Sequence, residues 1–184
     1  MIRLITITFV LLISTLAVAR DANWARPIIL EGVTNLNQVA PNLYRSAQPT
    51  ELGFKMLEQK LKIKADLNLR ESQTDEAALK STKIKTLNVP MNAAFITTAS
   101  VVTALRYIKA EQEKGPVLVH CLHGADRTGV VIAMYRIIYQ GWTKQQAIDE
   151  LKNGGFNFHS IFFNIPNFIE NADIAAIKAA LAKG

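Results

Sequence analysis

The chain carries one cysteine, Cys121, in 184 residues. That excludes an internal disulfide. Histidine is scarce too, at three residues. His120, Cys121 and His123 sit close together, but neighbouring strand residues point to opposite faces. No second Cys or His cluster completes a tetrahedral set, so no metal or other cofactor is expected. Glycine (9) and proline (6) are few and dispersed, with no repeat, low-complexity tract or linker, which leaves one domain. The net charge of +6 comes from separate lysines. There is no dense basic run interleaved with aromatics, so nucleic acid is not an expected partner. The remaining composition, 49% hydrophobic and 20% charged, is ordinary for a domain with its own core.

One long apolar run is present. After Arg3, residues Leu4 to Val18 are apolar or small, centred on Phe9-Val10-Leu11-Leu12-Ile13. This is short for a membrane span, which needs about 20 apolar residues. Ala17-Val18-Ala19 fits a signal-peptidase site. The expectation is a signal peptide over 1–19, cleaved near Ala19/Arg20, and a periplasmic or secreted domain over 20–184 with no membrane span after cleavage. The alternative is an uncleaved anchor. No cysteine lies near residue 20, so lipid attachment there is excluded. A lone free thiol in an oxidising compartment is a liability unless it has a task.

The stretch Val117-Leu118-Val119-His120-Cys121-Leu122-His123-Gly124-Ala125-Asp126-Arg127-Thr128-Gly129 suggests that task. Apolar residues running up to His120 after Gly115-Pro116 read as a buried strand. From Thr128 the chain is apolar enough for a buried helix. The loop between them, opening a helix, turns backbone N–H groups inward at the positive helix start and forms an anion site. A cysteine there has a lowered pKa, and its thiolate is a nucleophile. Arg127 offers a planar fork that matches two phosphoryl oxygens. Gly124 lets the loop curl, and Thr128 can donate a hydrogen bond to the sulfur. The expected phosphate cradle is Leu122, His123, Gly124, Ala125, Asp126 and Arg127.

Elsewhere, Leu43 to Ser46 alternates like an edge strand. Thr50 caps a helix running through Lys60, with Leu52, Met56 and Leu57 inward. Strands are expected over 62–69 and 83–89, with a short helix from Glu71 to Lys80 between them. A helix from Thr97 or Thr98 to Lys114 turns Val101, Leu105 and Ile108 inward. Gly141 ends the central helix, Thr143 to Gln146 forms a capping box, and Pro166 suits a helix first turn. A closing helix presents Ile174, Ile177 and Leu181. Residues 20–40 look irregular, with Trp24 and Pro27 pinning the arm. Strands alternating with helices predict an α/β fold with a mostly parallel central sheet flanked by helices in three layers. The site then lies at the strands' carboxyl ends.

The pattern His-Cys-x5-Arg-Thr-Gly resembles the cysteine-dependent protein tyrosine and dual-specificity phosphatases. Tyr44-Arg45-Ser46-x-Gln48-Pro49 followed by a helix and Asn68-Leu69-Arg70 is similar to their atypical dual-specificity branch, over residues 42 to 160. The resemblance implies a phosphatase acting on phosphorylated proteins, lipids or small molecules through a phosphocysteine; a monomer is expected. It implies Cys121 as nucleophile, with Arg127 and Thr128 as its helpers. Arg45 and Arg70 either line the pocket or hold loops, and His159 is a further candidate for the pocket. That superfamily takes its acid from a separate loop, but Asn88 to Phe95 has none. Asp126, preceding Arg127 as in myotubularin and Sac-type phosphatases, is the candidate acid, unless it only orients Arg127. His123 and His159 stand in reserve. A phosphate-binding module without turnover and a sulfurtransferase carrying a Cys121 persulfide are the rival readings.

Overall fold

Thirteen short elements follow one another in the computed structural model, which describes residues 20–183. The chain opens with β1 (Arg26–Pro27), β2 (Asn37–Ala40), β3 (Leu43–Ser46), α1 (Glu51–Leu61) and β4 (Ala65–Asn68). It continues through α2 (Glu76–Leu79), β5 (Lys85–Asn88), α3 (Thr98–Gln112) and β6 (Val117–His120). The helical end comprises α4 (Asp126–Gln140), α5 (Lys144–Asn153), α6 (Asn164–Asn171) and α7 (Ile174–Ala182). The signal-peptide expectation falls on 1–19, outside the described residues. No described helix is long and apolar enough to cross a membrane.

The strands form one sheet in the order β1-β2-β3-β6-β4-β5. β3, β6, β4 and β5 run parallel, while β1 and β2 add antiparallel strands at one edge. The period-two geometry of β6 explains the layers. Leu118 faces Tyr44, Phe54, Leu57 and Ile63 on the side covered by α1 and α2. Val117 and Val119 face Leu43, Leu67, Leu105, Ile108 and Val130 on the other side, beneath the remaining helices. Every residue of β3, β4 and β6 is buried, as expected of parallel strands covered on both faces. The mostly parallel sheet flanked by helices is the fold expected from the sequence. Thr50 caps α1 through its side chain to Gly53 N at 3.0 Å. The capping box at Thr143 and Gln146 forms as expected.

Several local expectations are corrected. Leu43 to Ser46 is interior, because residues 20–40 are not irregular and supply β1 and β2 outside it. Pro27 is exposed, and the arm is pinned by Ala25, whose N–H donates to Glu150 Oε1 at 2.7 Å. Glu150 is itself locked against Arg136 at 2.7 and 2.9 Å. Leu52 faces solvent and Phe54 takes the inner place on α1. The central helix starts at Asp126, before Thr128. The helix expected over 71–80 shrinks to Glu76–Leu79, because Asn68 Nδ2 captures Gln73 O at 2.9 Å and Asp75 Oδ2 at 2.5 Å. That loss of helix supplies part of the site.

Candidate active site

Cys121 follows β6 at the carboxyl edge of the parallel strands and is 2% exposed. The loop from Cys121 to Ala125 then curls into α4. Gly124 makes the curl with φ +69°, and a Cβ there would lie 2.4 Å from the Ser46 carbonyl carbon. Only glycine meets both demands. Three successive loop carbonyls are tied outward. Leu122 O accepts from Gln48 N at 3.1 Å. His123 O accepts from Asn35 Nδ2 at 2.9 Å, and Gly124 O from Arg45 Nη2 at 2.7 Å. In planar trans peptides the N–H groups of His123, Gly124 and Ala125 therefore point the other way, into the loop. Together with the start of α4 they make an anion cradle.

The same arrangement sets the state of the sulfur. Burial pushes the Cys121 thiol up, but the Thr128 hydroxyl and N–H, the Arg127 charge and the Gly124 N–H outweigh it, and the net pKa lies below the ordinary thiol value. Thr128 Oγ1 is buried and makes no hydrogen bond among the described residues, so its hydroxyl is uncommitted beside the thiol it stabilises in the charged form. Arg127 is half-buried, and its guanidinium donates to no described residue.

Asp126 is 5% exposed at the first position of α4. The His159 backbone N–H donates to its Oδ1 at 3.0 Å, and His159 Nδ1 lies 2.8 Å from its Oδ2. The His123 and His159 rings are 5.4 Å apart. Both rings face an open pocket of about 600 Å³, bounded also by Leu122, Asn35, Asn157 and Arg20.

Arg45 is not a pocket residue. It is 1% exposed beneath the loop, with its guanidinium 3.7 Å over the Phe156 ring. Burial drives its pKa down to about 10, and its task is the Gly124 carbonyl. Arg70 acts one step further back, donating from Nη1 to Gln48 Oε1 at 2.8 Å. His159, by contrast, does border the pocket.

A buried cluster beneath the strand end was not anticipated. His120 Nε2 lies 3.0 Å from Asp75 Oδ2 and 3.2 Å from Asp66 Oδ1, and all three side chains are buried. Burial alone would discharge the imidazole, but the two carboxylates prevail and push its pKa up to about 10. Burial also opposes the Asp75 charge, yet His120, Gln48 and Arg70 hold its carboxyl below the usual range. Gln48 Nε2 reaches Asp75 Oδ1 at 2.6 Å, so the chain His120–Asp75–Gln48–Leu122 ties the cluster to the loop. The signal in sequence was Asp66 and Asn68, two polar residues on one face of a strand otherwise apolar at its core.

The loop geometry agrees with what the chain is similar to. The model of the tyrosine phosphatase family matches residues 32–183. The dual specificity protein phosphatase TpbA of Pseudomonas aeruginosa is 35% identical over 168 residues, covering 91% of this chain and 75% of that protein. Its crystal structure superposes with a TM-score of 0.80, covering 89% of this chain and 99% of that chain. The inositol diphosphatase SIW14 of Saccharomyces cerevisiae is 31% identical over 156 residues, covering 81% of this chain and 54% of that protein. The crystal structure of the SIW14 core catalytic domain gives a TM-score of 0.70 at 30% identity, covering 81% of this chain and 91% of that one. With the cysteine loop, the sheet and these relatives in agreement, the chain belongs to the tyrosine phosphatase family, as a cysteine-dependent phosphatase of the atypical dual-specificity kind.

Proposed function

We propose that this phosphatase hydrolyses phosphate monoesters through a phosphocysteine. The Cys121 thiolate attacks phosphorus, forming the S–P bond as the ester P–O bond breaks. The loop N–H groups and Arg127 bind the three equatorial oxygens and match the charge that spreads over them in the transition state. Asp126 gives its proton to the leaving oxygen, with His159 fixing that carboxyl at two points and bordering the entrance. Water then cleaves the S–P bond, phosphate leaves and the thiolate returns. No step needs a metal. The observation that carries the reading is a loop in which three successive carbonyls are drawn outward, so that its N–H groups turn in beside the buried Cys121 sulfur and hold its pKa down.

For substrate we favour phosphotyrosine proteins. One relative is a dual specificity protein phosphatase with a structure described as a complex with phosphotyrosine, and another is an inositol diphosphatase. A highly charged inositol phosphate needs cations around its outer phosphates. The loop side chains Leu122, His123 and Ala125 supply none, and Arg20 is the one strong cation bordering the adjoining pocket among the described residues. Activity on phosphotyrosine peptides well above that on inositol pyrophosphates is the expected result, and the reverse order would overturn the preference. Phosphate release without thiosulfate-to-cyanide transfer separates this reading from both the inert module and the sulfurtransferase.

We also propose that residues 20–184 act as an exported domain. The support is the apolar run ending in Ala17-Val18-Ala19. Mass spectrometry of the native protein should give Arg20 as its first residue, and an intact start would favour an anchor.

A further inference from the structure

Two clusters of imidazole and carboxylate groups flank the phosphate loop, and they differ in access. Asp66, Asp75 and His120 are buried beneath the sheet edge, where the imidazole already pairs with both carboxylates at 3.0 and 3.2 Å and no donor is exposed to an incoming ion. His123, Asp126 and His159 bring one donor atom each to within 4.8 Å of the others, and the two imidazoles are exposed at the pocket. The His123 ring makes no hydrogen bond among the described residues, so a ring nitrogen is free there. Two imidazoles and a carboxylate, with open space on the remaining side, are a donor set for a borderline divalent transition ion such as zinc.

We propose that His123, Asp126 and His159 form a binding site for a divalent transition-metal ion at the mouth of the phosphate loop. Zinc bonds of about 2.0–2.2 Å space tetrahedral ligands roughly 3.3 Å apart. The 2.8 Å contact between Asp126 and His159 has to open slightly, and the exposed His123 ring has to swing toward it. The ion takes the place of the proton shared between Asp126 Oδ2 and His159 Nδ1, and water fills the fourth position. Arg127 and the positive start of α4 oppose a cation here, while the Asp126 carboxylate offsets one unit of its charge. A metal so held withdraws Asp126 from the leaving oxygen and inhibits turnover of substrates that need the acid. This consequence rests on the acid reading of Asp126, whereas the binding site does not.

The test therefore measures binding in a protein without turnover. The full chain carrying Cys121→Ser is titrated with zinc against a chromogenic chelator, which removes the thiolate as a competing ligand. One zinc ion should bind. His123→Gln and His159→Gln, both at exposed positions, should each weaken it by at least about tenfold, the loss that even an outer partner of a ligand produces. Circular dichroism of each variant should match the parent, so that lost binding is not lost folding. No zinc bound to the Cys121→Ser protein, or affinity unchanged in either histidine variant, overturns the site. Retention of the site together with unimpaired alkyl phosphate turnover in zinc-loaded wild type would refute the acid role alone.

Discussion

The buried His120 cluster gives stability a pH dependence whose sign is fixed by its geometry. An imidazole between two buried carboxylates has its pKa raised from about 6.5 in the unfolded chain to about 10 in the folded protein. A raised folded-state pKa means that the stabilisation is complete below the unfolded value and is lost as pH rises through the folded one. Between the two, the folded protein holds one more proton, so stability falls by about 1.4 kcal/mol per pH unit from this group. From pH 7 to 9.5 that amounts to roughly 3 kcal/mol, a large share of the 5–15 kcal/mol typical of a domain. Asp75, held below the usual carboxyl range, works in the opposite direction, since its contribution is lost as pH falls into the acid range. Cys121, whose thiol pKa is lowered on folding, opposes this trend as pH rises toward the ordinary thiol value, so denaturant midpoints are read in the Cys121→Ser protein and should decline from pH 6.5 to 9.5. Removing the imidazole outright would strand two buried carboxylates at a cost of about 3–5 kcal/mol and risk the fold. Asp66→Asn is the informative variant. It takes away the first of the charges that raise the His120 pKa in the folded protein, so the decline should begin at the same pH, which the unfolded chain sets, and reach a plateau sooner and after a smaller loss. A flat profile of the Cys121→Ser protein over this range, or the same profile when Asp66→Asn is added to it, would refute the reasoning.

Two further perturbations probe the loop. Gly124→Ala puts a Cβ 2.4 Å from the Ser46 backbone at φ +69°, so the loop must shift off β3. Turnover should fall by at least about tenfold while the melting temperature drops by only a few degrees, because a displacement of about 1 Å in catalytic groups costs up to about a hundredfold; unchanged kcat would show that the curl is not needed. Asp126→Asn should slow an alkyl phosphate by about 10²–10⁴-fold and p-nitrophenyl phosphate much less, since nitrophenolate leaves without a proton; equal losses would mean that Asp126 serves phosphate binding and not proton transfer.

The loop was legible in the sequence because its parts are contiguous. Cys121, Gly124, Arg127 and Thr128 lie within one strand–turn–helix, where spacing alone determines geometry. Contacts that bind distant segments were hidden. The two bonds from His159 to Asp126 span 33 residues, and the Asp75–His120 contact spans 45. Arg45 could be read from the sequence as a pocket cation or as a loop holder, because an arginine in an apolar strand suits both; its burial under Phe156 and its bond to the Gly124 carbonyl, which decide for the loop, are tertiary facts. β1 was missed because it spans two residues, and β2 because Asn37-Gln38-Val39-Ala40 offers one β-branched residue and no apolar alternation beyond its ends. Placing β3 at an edge was the consequence.

The central claim is that the Cys121 sulfur carries the phosphoryl group between substrate and water. The most direct measurement is acid quench of the enzyme during turnover of a labelled aryl phosphate, followed by mass mapping of the modified peptide. The account expects label on Cys121 in wild type, and neither label nor phosphate release in Cys121→Ser, which should still bind vanadate. Substantial phosphate release by Cys121→Ser, or turnover in wild type with no label at Cys121, would contradict it.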